Sequence, residues 1–242
     1  MIGGLLAAVG FLTRVPVPPR VFDDPQAQRQ SLAWYPLVGL LLGGVLAALA
    51  WALRESPPLL VAAVVLGAWV ALTGALHLDG LADSADAWVG GLGDRDRTLQ
   101  IMKDPRCGPV GVVAIVLTLL LKFAALASLP AGGWPALLLA PMLARGALTL
   151  AFLGTPYVRP GGLGSALVAA PRRAGGGALL LVVAGCLVWP GWHGVLALLA
   201  ATVVFLAWRR ACLRRLGGMT GDTCGALAEL VEVAVLLAWA IA

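Results

Sequence analysis

The stretch PVGVVAIVLTLLLKFAALASL, residues 109–129, carries a single charge, Lys122. At 1.5 Å per residue a helix of this length reaches about 30 Å, the thickness of a bilayer's hydrocarbon core. Six more runs share its character: 31–53, 58–78, 134–153, 175–191, 193–208 and 222–242. Of the 242 residues 60% are hydrophobic and only 12% are charged, with a mean hydropathy of +0.93. Soluble domains carry about 25% charged residues, and a globule of this size cannot hide so much apolar surface from water. An ordinary soluble protein, a disordered chain and a disulfide scaffold are all excluded. The fold predicted is all-α: one polytopic membrane domain over 1–242 with about seven transmembrane helices. The fifth and sixth runs are short and divided only by Pro190-Gly191-Trp192-His193. Ile2–Leu12 is apolar but too short to span and lacks the cationic start of a signal peptide, so it reads as an interfacial or re-entrant helix.

Basic residues orient the bundle. Fourteen of the 17 fall in four segments: Arg14, Arg20 and Arg29; Arg95, Arg97, Lys103 and Arg106; Arg159, Arg172 and Arg173; Arg209, Arg210, Arg214 and Arg215. These segments alternate with connections that hold only Arg54. The positive-inside rule makes the basic side cytoplasmic, with the N-terminus in and the C-terminus out. It also accounts for the net charge of +5 without nucleic acid, since no basic soluble module exists to bind one. The four cysteines show no C-x-x-C spacing and read as free thiols.

Acidic residues are few and sorted. Six of twelve lie between Asp79 and Asp104, and three more are Asp222, Glu229 and Glu232. In LHLDGLADSADAW, Asp79, Asp83 and Asp86 stand at i, i+4 and i+7, so on a helix they share one stripe. Like charges at that spacing repel, and a divalent cation of the Mg²⁺, Mn²⁺ or Ca²⁺ kind would neutralise them. The plainer alternative is a solvated helix start with Asp facing its dipole. Glu229 and Glu232 lie inside the last span, where a carboxylate needs protein, water or a partner. Arg145, at matching depth in its own span, is expected to pair with one of them, whereas Lys122 lies deeper. Carboxylates able to carry a metal, ringed by Arg and Lys, suit a diphosphate. No Walker-type run and no nucleophile-histidine arrangement competes. His77 and His193 fall on opposite sides of the membrane, His77 as a supporting or packing group near Asp79. The glycines at Gly161–Gly164 read as loop residues.

Three stretches, AVGFLTRVPVP (8–18), LHLDGLADSADAWVGG with RTLQIMKDPRCGPVG (76–91 and 97–111) and GDTCGALAELVEV (221–233), together resemble the cobalamin synthase family, the adenosylcobinamide-GDP ribazoletransferases. The resemblance runs from residue 2 to the C-terminus and is weakest across 130–210. It implies an integral enzyme of the bacterial cytoplasmic (inner) membrane whose active site faces the cytoplasm. Such an enzyme transfers the adenosylcobinamide-phosphate group of adenosylcobinamide-GDP to α-ribazole or its 5′-phosphate. The products are GMP and adenosylcobalamin or its phosphate, with Mg²⁺ as cofactor. Carried onto this chain, the resemblance gives Asp79, Asp83, Asp86 and Asp222 as the catalytic and metal-binding carboxylates. Asp104 and Glu229 are further metal candidates, and Arg14, Lys103 and Arg106 contact phosphates. The general base is one carboxylate of this set left free of metal.

Two other functions fit less of the sequence. A CDP-alcohol phosphotransferase also displaces a nucleoside monophosphate with a hydroxyl. Its signature, however, begins on an Asp where this chain has Leu76, and its second half, G-x-x-x-D-x-x-x-D, is absent. A small transporter would explain Lys122, Arg145, Glu229 and Glu232 but not the Asp79–Asp86 stripe.

Overall fold

A computed structural model describes residues 2–130, 132–159, 163–188 and 191–242. Trp189, Pro190, Gly161 and Gly162, which bear on the short-span boundary and the glycine loop, lie outside them. The described residues form twelve α-helices and no strand. A short N-terminal group, α1 (Ile2–Leu12), α2 (Arg20–Asp23) and α3 (Pro25–Ser31), leads through a 3₁₀ turn into α4 (Tyr35–Ala52). There follow α5 (Pro58–Thr73), α6 (Leu76–Gly90), α7 (Arg95–Ile101), α8 (Pro109–Ala127) and α9 (Pro135–Gly154). The last three are α10 (Arg172–Val188), α11 (Trp192–Leu216) and α12 (Gly221–Ile241).

Proline opens many of these helices. Pro36, Pro58, Pro109 and Pro135 occupy first-turn positions, where the missing N–H has no partner to lose. The α12 start is fixed differently, by a reciprocal capping box between Thr220 and Thr223.

Five helical stretches are long and apolar enough to cross a membrane: 25–52, α8, α9, α11 and α12. A sixth is obtained if α5 and α6 count as one broken span. Among the described residues the count therefore stops at five or six and seven is not confirmed, and two observations bear on it. The run 58–78 does not continue as one helix, because Gly74 and Ala75 take left-handed backbone (φ +61° and +57°) and α6 leaves α5 at 86°. The fifth run lies largely in α10, whose 17 described residues reach about 25 Å.

The core is the pair α9 and α12, which carry 14 and 13 buried residues, more than any other helix. Helix α4 lies directly on α9. A Cβ at Gly39 or Gly43 would come within 2.3 or 2.4 Å of the carbonyl oxygens of Pro141 and Leu137. Pro141 cannot donate to the Leu137 carbonyl, so the α4 backbone rests where that carbonyl is free. Outward faces of α8 and α11 remain apolar and exposed (Val113, Leu117, Leu120, Val203, Leu206), as a lipid-facing surface requires.

All four basic segments meet at one end. Arg95 donates to the Leu216 carbonyl at 2.9 Å, and Arg215 to the Trp88 carbonyl at 2.7 Å. Arg209 donates to the Gly154 carbonyl at 2.9 Å, and the Arg14 backbone to the Leu72 carbonyl at 2.7 Å. Arg54 lies at the opposite end with Trp51 and Trp134.

Candidate active site

At the basic end α6, which is not among the five spanning stretches, lies across the first turns of α8 and α12. The crossing is close: a Cβ on Gly80 would stand 2.7 Å from the Asp222 carbonyl oxygen, so only glycine fits. That contact sets Asp79 and Asp83 beside Asp222, although 142 residues separate Asp222 from Gly80 along the chain. Asp79 is exposed, while Asp83 is half-buried. Burial first, and then the charges of Asp79, Asp222 and Asp86, push the Asp83 carboxyl up to about 6. Like charges have thus been gathered at one point, at a cost the fold carries.

Asp222 is held from the other side by Arg159, at 2.8 Å. Arg159 sits on a strap after α9 that is pinned to the α11–α12 turn. The Val158 N–H donates to the Met219 carbonyl at 2.9 Å, and the Met219 N–H to that of Pro156 at 2.8 Å. Between strap and helices opens a cavity of about 460 Å³ lined by Tyr35, His77, Asp79, Tyr157, Arg159 and Asp222 among others. Lys103 lines a smaller neighbouring cavity of about 130 Å³ together with Asp222 and Arg159.

The remaining expected site residues fall elsewhere. Both oxygens of Asp86 accept backbone N–H groups, from Gly108 at 2.6 Å and Gly111 at 2.9 Å, so this carboxylate caps α8 from a different helix. Asp104 and Arg106 form a two-pronged pair at 2.9 and 2.6 Å. Its hydrogen bonds hold the Asp104 carboxyl down at about 2. Arg106 is exposed, and Arg14 lines a different cavity beside α1.

Glu229 belongs to a buried charge cluster. Lys122 Nζ lies 2.7 Å from Glu229 and also pairs with Glu232, which in turn binds Arg145. Arg145 thus meets the expected Glu232, while Glu229 is held by Lys122, which lies near enough to bridge both. Lys122 also stacks on Trp69 at 4.8 Å. Arg145 Nη2 stands 3.3 Å from His77 Nδ1, so His77 links the cluster to the cavity wall. Two cations against two carboxylates leave the cluster neutral, which makes it tolerable in the membrane.

Sequence reasoning used Arg159 only to orient the bundle and passed over Tyr157, Tyr35 and Phe11 in the site. One signal was present: an Arg in a Pro-flanked strap, YVRP, directly after a span. Among the described residues no three His, Cys, Asp or Glu form a cage that would hold a metal alone. Mg²⁺ does not require one, because it is bound through one or two carboxylates with phosphate oxygens and water completing the shell. Asp83, half-buried and crowded by Asp79 and Asp222, offers with them hard oxygen donors of the kind from which that cation takes one or two.

The family model described as cobalamin-5-phosphate synthase matches residues 4–240. A protein of Stutzerimonas stutzeri (strain A1501) named adenosylcobinamide-GDP ribazoletransferase is 58% identical over 239 residues, covering 98% of this chain and 97% of its own. Proteins of the same name from Pseudomonas aeruginosa (strain UCBPP-PA14) and Pseudomonas entomophila (strain L48) are 56% and 54% identical. The first covers 98% of this chain and the second 97%, and each is itself matched over 97%. No solved structure matches the chain.

Proposed function

The chain belongs to the cobalamin-5-phosphate synthase family, and from that premise we infer that it performs the transfer its relatives are named for. It joins the adenosylcobinamide-phosphate group of adenosylcobinamide-GDP to α-ribazole or its 5′-phosphate and releases GMP. A ribose hydroxyl oxygen of the acceptor bonds to the phosphorus bearing the corrinoid, and the bond from that phosphorus to the GMP oxygen breaks. The reaction is thus a phosphotransfer, and it takes place at the basic end of a membrane-embedded bundle, which the positive-inside rule makes the cytoplasmic face of the inner membrane.

The observation that carries this reading is the convergence of Asp79, Asp222 and Arg159 at one cavity, with Asp83 beside them. Arg159 and Lys103 hold phosphate oxygens and stabilise the charge that grows on the departing GMP. Asp79, Asp83 and Asp222 would hold Mg²⁺, which when bound screens the diphosphate and favours its cleavage. Asp86 supports these roles by fixing α6 to α8. The proton of the attacking hydroxyl passes to whichever of Asp79, Asp83 and Asp222 is left free of the metal. Aromatic walls from Tyr35, Tyr157 and Phe11 keep bulk water from the phosphorus.

The test uses the detergent-solubilised chain with adenosylcobinamide-GDP, α-ribazole and Mg²⁺, measuring GMP and cobalamin together. Equal release of both is expected. Turnover of a CDP-lipid with an alcohol, and none of the corrinoid, would overturn the reading.

A further inference from the structure

A second cavity, of about 440 Å³, adjoins the carboxylate cavity and shares Phe11, Tyr35 and Leu76 with it. The two differ in chemistry. The first carries Asp79, Asp222 and Arg159. The second, between α1, α2, α3 and the start of α4, has no carboxylate on its described wall. Its polar groups are hydroxyls and the Gln28 amide, and its one ionised side chain is Arg14.

Tyr35 stands on the partition. It is 1% exposed, its ring stacks on Phe11 at a centroid distance of 6.2 Å, and its hydroxyl has no hydrogen-bond partner among the described residues. The neighbouring Ser31 hydroxyl donates to the Gln28 carbonyl at 2.6 Å and does not stand in hydrogen-bond geometry to the Tyr35 hydroxyl. Buried hydroxyls are almost always satisfied, so an unpaired one on a residue that lines both cavities points to an occupant drawn against it.

Size and reaction geometry narrow that occupant. A cavity of this volume suits a molecule of about 20 non-hydrogen atoms, a nucleoside, and is far too small for a corrinoid. Attacking and leaving oxygens lie roughly in line through the phosphorus, so the acceptor needs a room of its own beside the phosphate site. Guanine, with its hydrogen-bonding edge, has few free donors to meet there, since Thr13, Gln28, Ser31 and Thr73 already donate to carbonyls of the chain.

Resting on the proposed function, we propose that this second cavity is the acceptor subsite. The bicyclic heteroaromatic base of ribazole packs against Phe22 and the Phe11–Tyr35 stack, with the Tyr35 hydroxyl bonded to the nucleoside. The ribose points past Leu76 to Asp79. Arg14 meets the 5′-phosphate when the acceptor carries one, and so sets the preference between the two acceptor forms.

The experiment is steady-state kinetics on the full chain in detergent, varying each substrate separately. Tyr35→Phe removes only a hydroxyl with no protein partner, so thermal stability should hold. It should raise the KM for α-ribazole about three- to tenfold and leave that for adenosylcobinamide-GDP within twofold. Phe22→Ala should act in the same direction. Arg14→Gln should lower the ratio of kcat/KM for phosphorylated over unphosphorylated acceptor at least tenfold. Unchanged constants in Tyr35→Phe and Phe22→Ala, or a rise confined to the corrinoid donor, would overturn the assignment. If the wild-type chain releases no GMP, the functional reading fails by itself. Equilibrium dialysis with α-ribazole then decides the subsite: saturable binding weakened by Phe22→Ala supports it, and no saturable binding removes it.

Discussion

Asp83 concentrates the tension of the site in one carboxyl. Burial and three neighbouring carboxylates raise it to about 6, from the ordinary value of 3.8. A carboxyl whose folded value lies above its unfolded one withholds stability once it ionises. The metal-free protein should therefore lose stability as pH climbs from about 4 through 6, and Asp83→Asn should flatten that fall in a thermal melt read across this range. The same substitution should lower turnover roughly 100-fold or more while membrane insertion stays intact. Arg145 is the opposite case, fully buried and paired to Glu232. Removing it strands a carboxylate, so Arg145→Ala should cost about 3–5 kcal/mol. Denaturation of the single and double variants with Glu232→Gln checks this, and additive losses would deny the coupling.

Helix α6 decides the site at the scale of elements. Its acidic stripe was legible from i, i+4, i+7 spacing alone, because that pattern is local. Its departure from α5 was not, since the bend depends on two consecutive left-handed residues, one of them an alanine. The role of Asp86 was equally hidden, because the N–H groups it caps lie 22 and 25 residues away. Arg159 escaped for the same reason, its partner Asp222 standing 63 residues on. The Glu232 partner of Arg145 was readable because matched depth in two spans is itself a sequence quantity. At this scale the critical contact is Gly80 on the α12 backbone. Gly80→Val should separate α6 from α12 and abolish transfer, while α8 and α9 still insert; proteolysis and activity measured on one preparation distinguish the two effects.

The whole molecule is a lipid-facing shell around a charged interior and one polar end. Composition made the shell legible. The count of spans was not, because periodicity cannot tell a continuous crossing from a bent one or a 17-residue helix from a longer one. The basic residues did mark one end, and the cysteines offer a check on which side it faces. Cys107 is exposed at that end, whereas Cys186, Cys212 and Cys224 are buried. A membrane-impermeant maleimide should label Cys107 in inside-out vesicles and spare right-side-out ones; the reverse pattern would invert the topology. The polar end is where the chemistry has been placed, and its central claim is that clustered carboxylates hold a cation against a diphosphate. The most direct measurement is GMP release from adenosylcobinamide-GDP and α-ribazole as Mg²⁺ is titrated, for the wild-type chain and Asp222→Asn. A saturable Mg²⁺ requirement, lost with chelator and shifted to higher Mg²⁺ in Asp222→Asn, is predicted. Undiminished release in chelator, or a Mg²⁺ dependence identical in the two proteins, would contradict it.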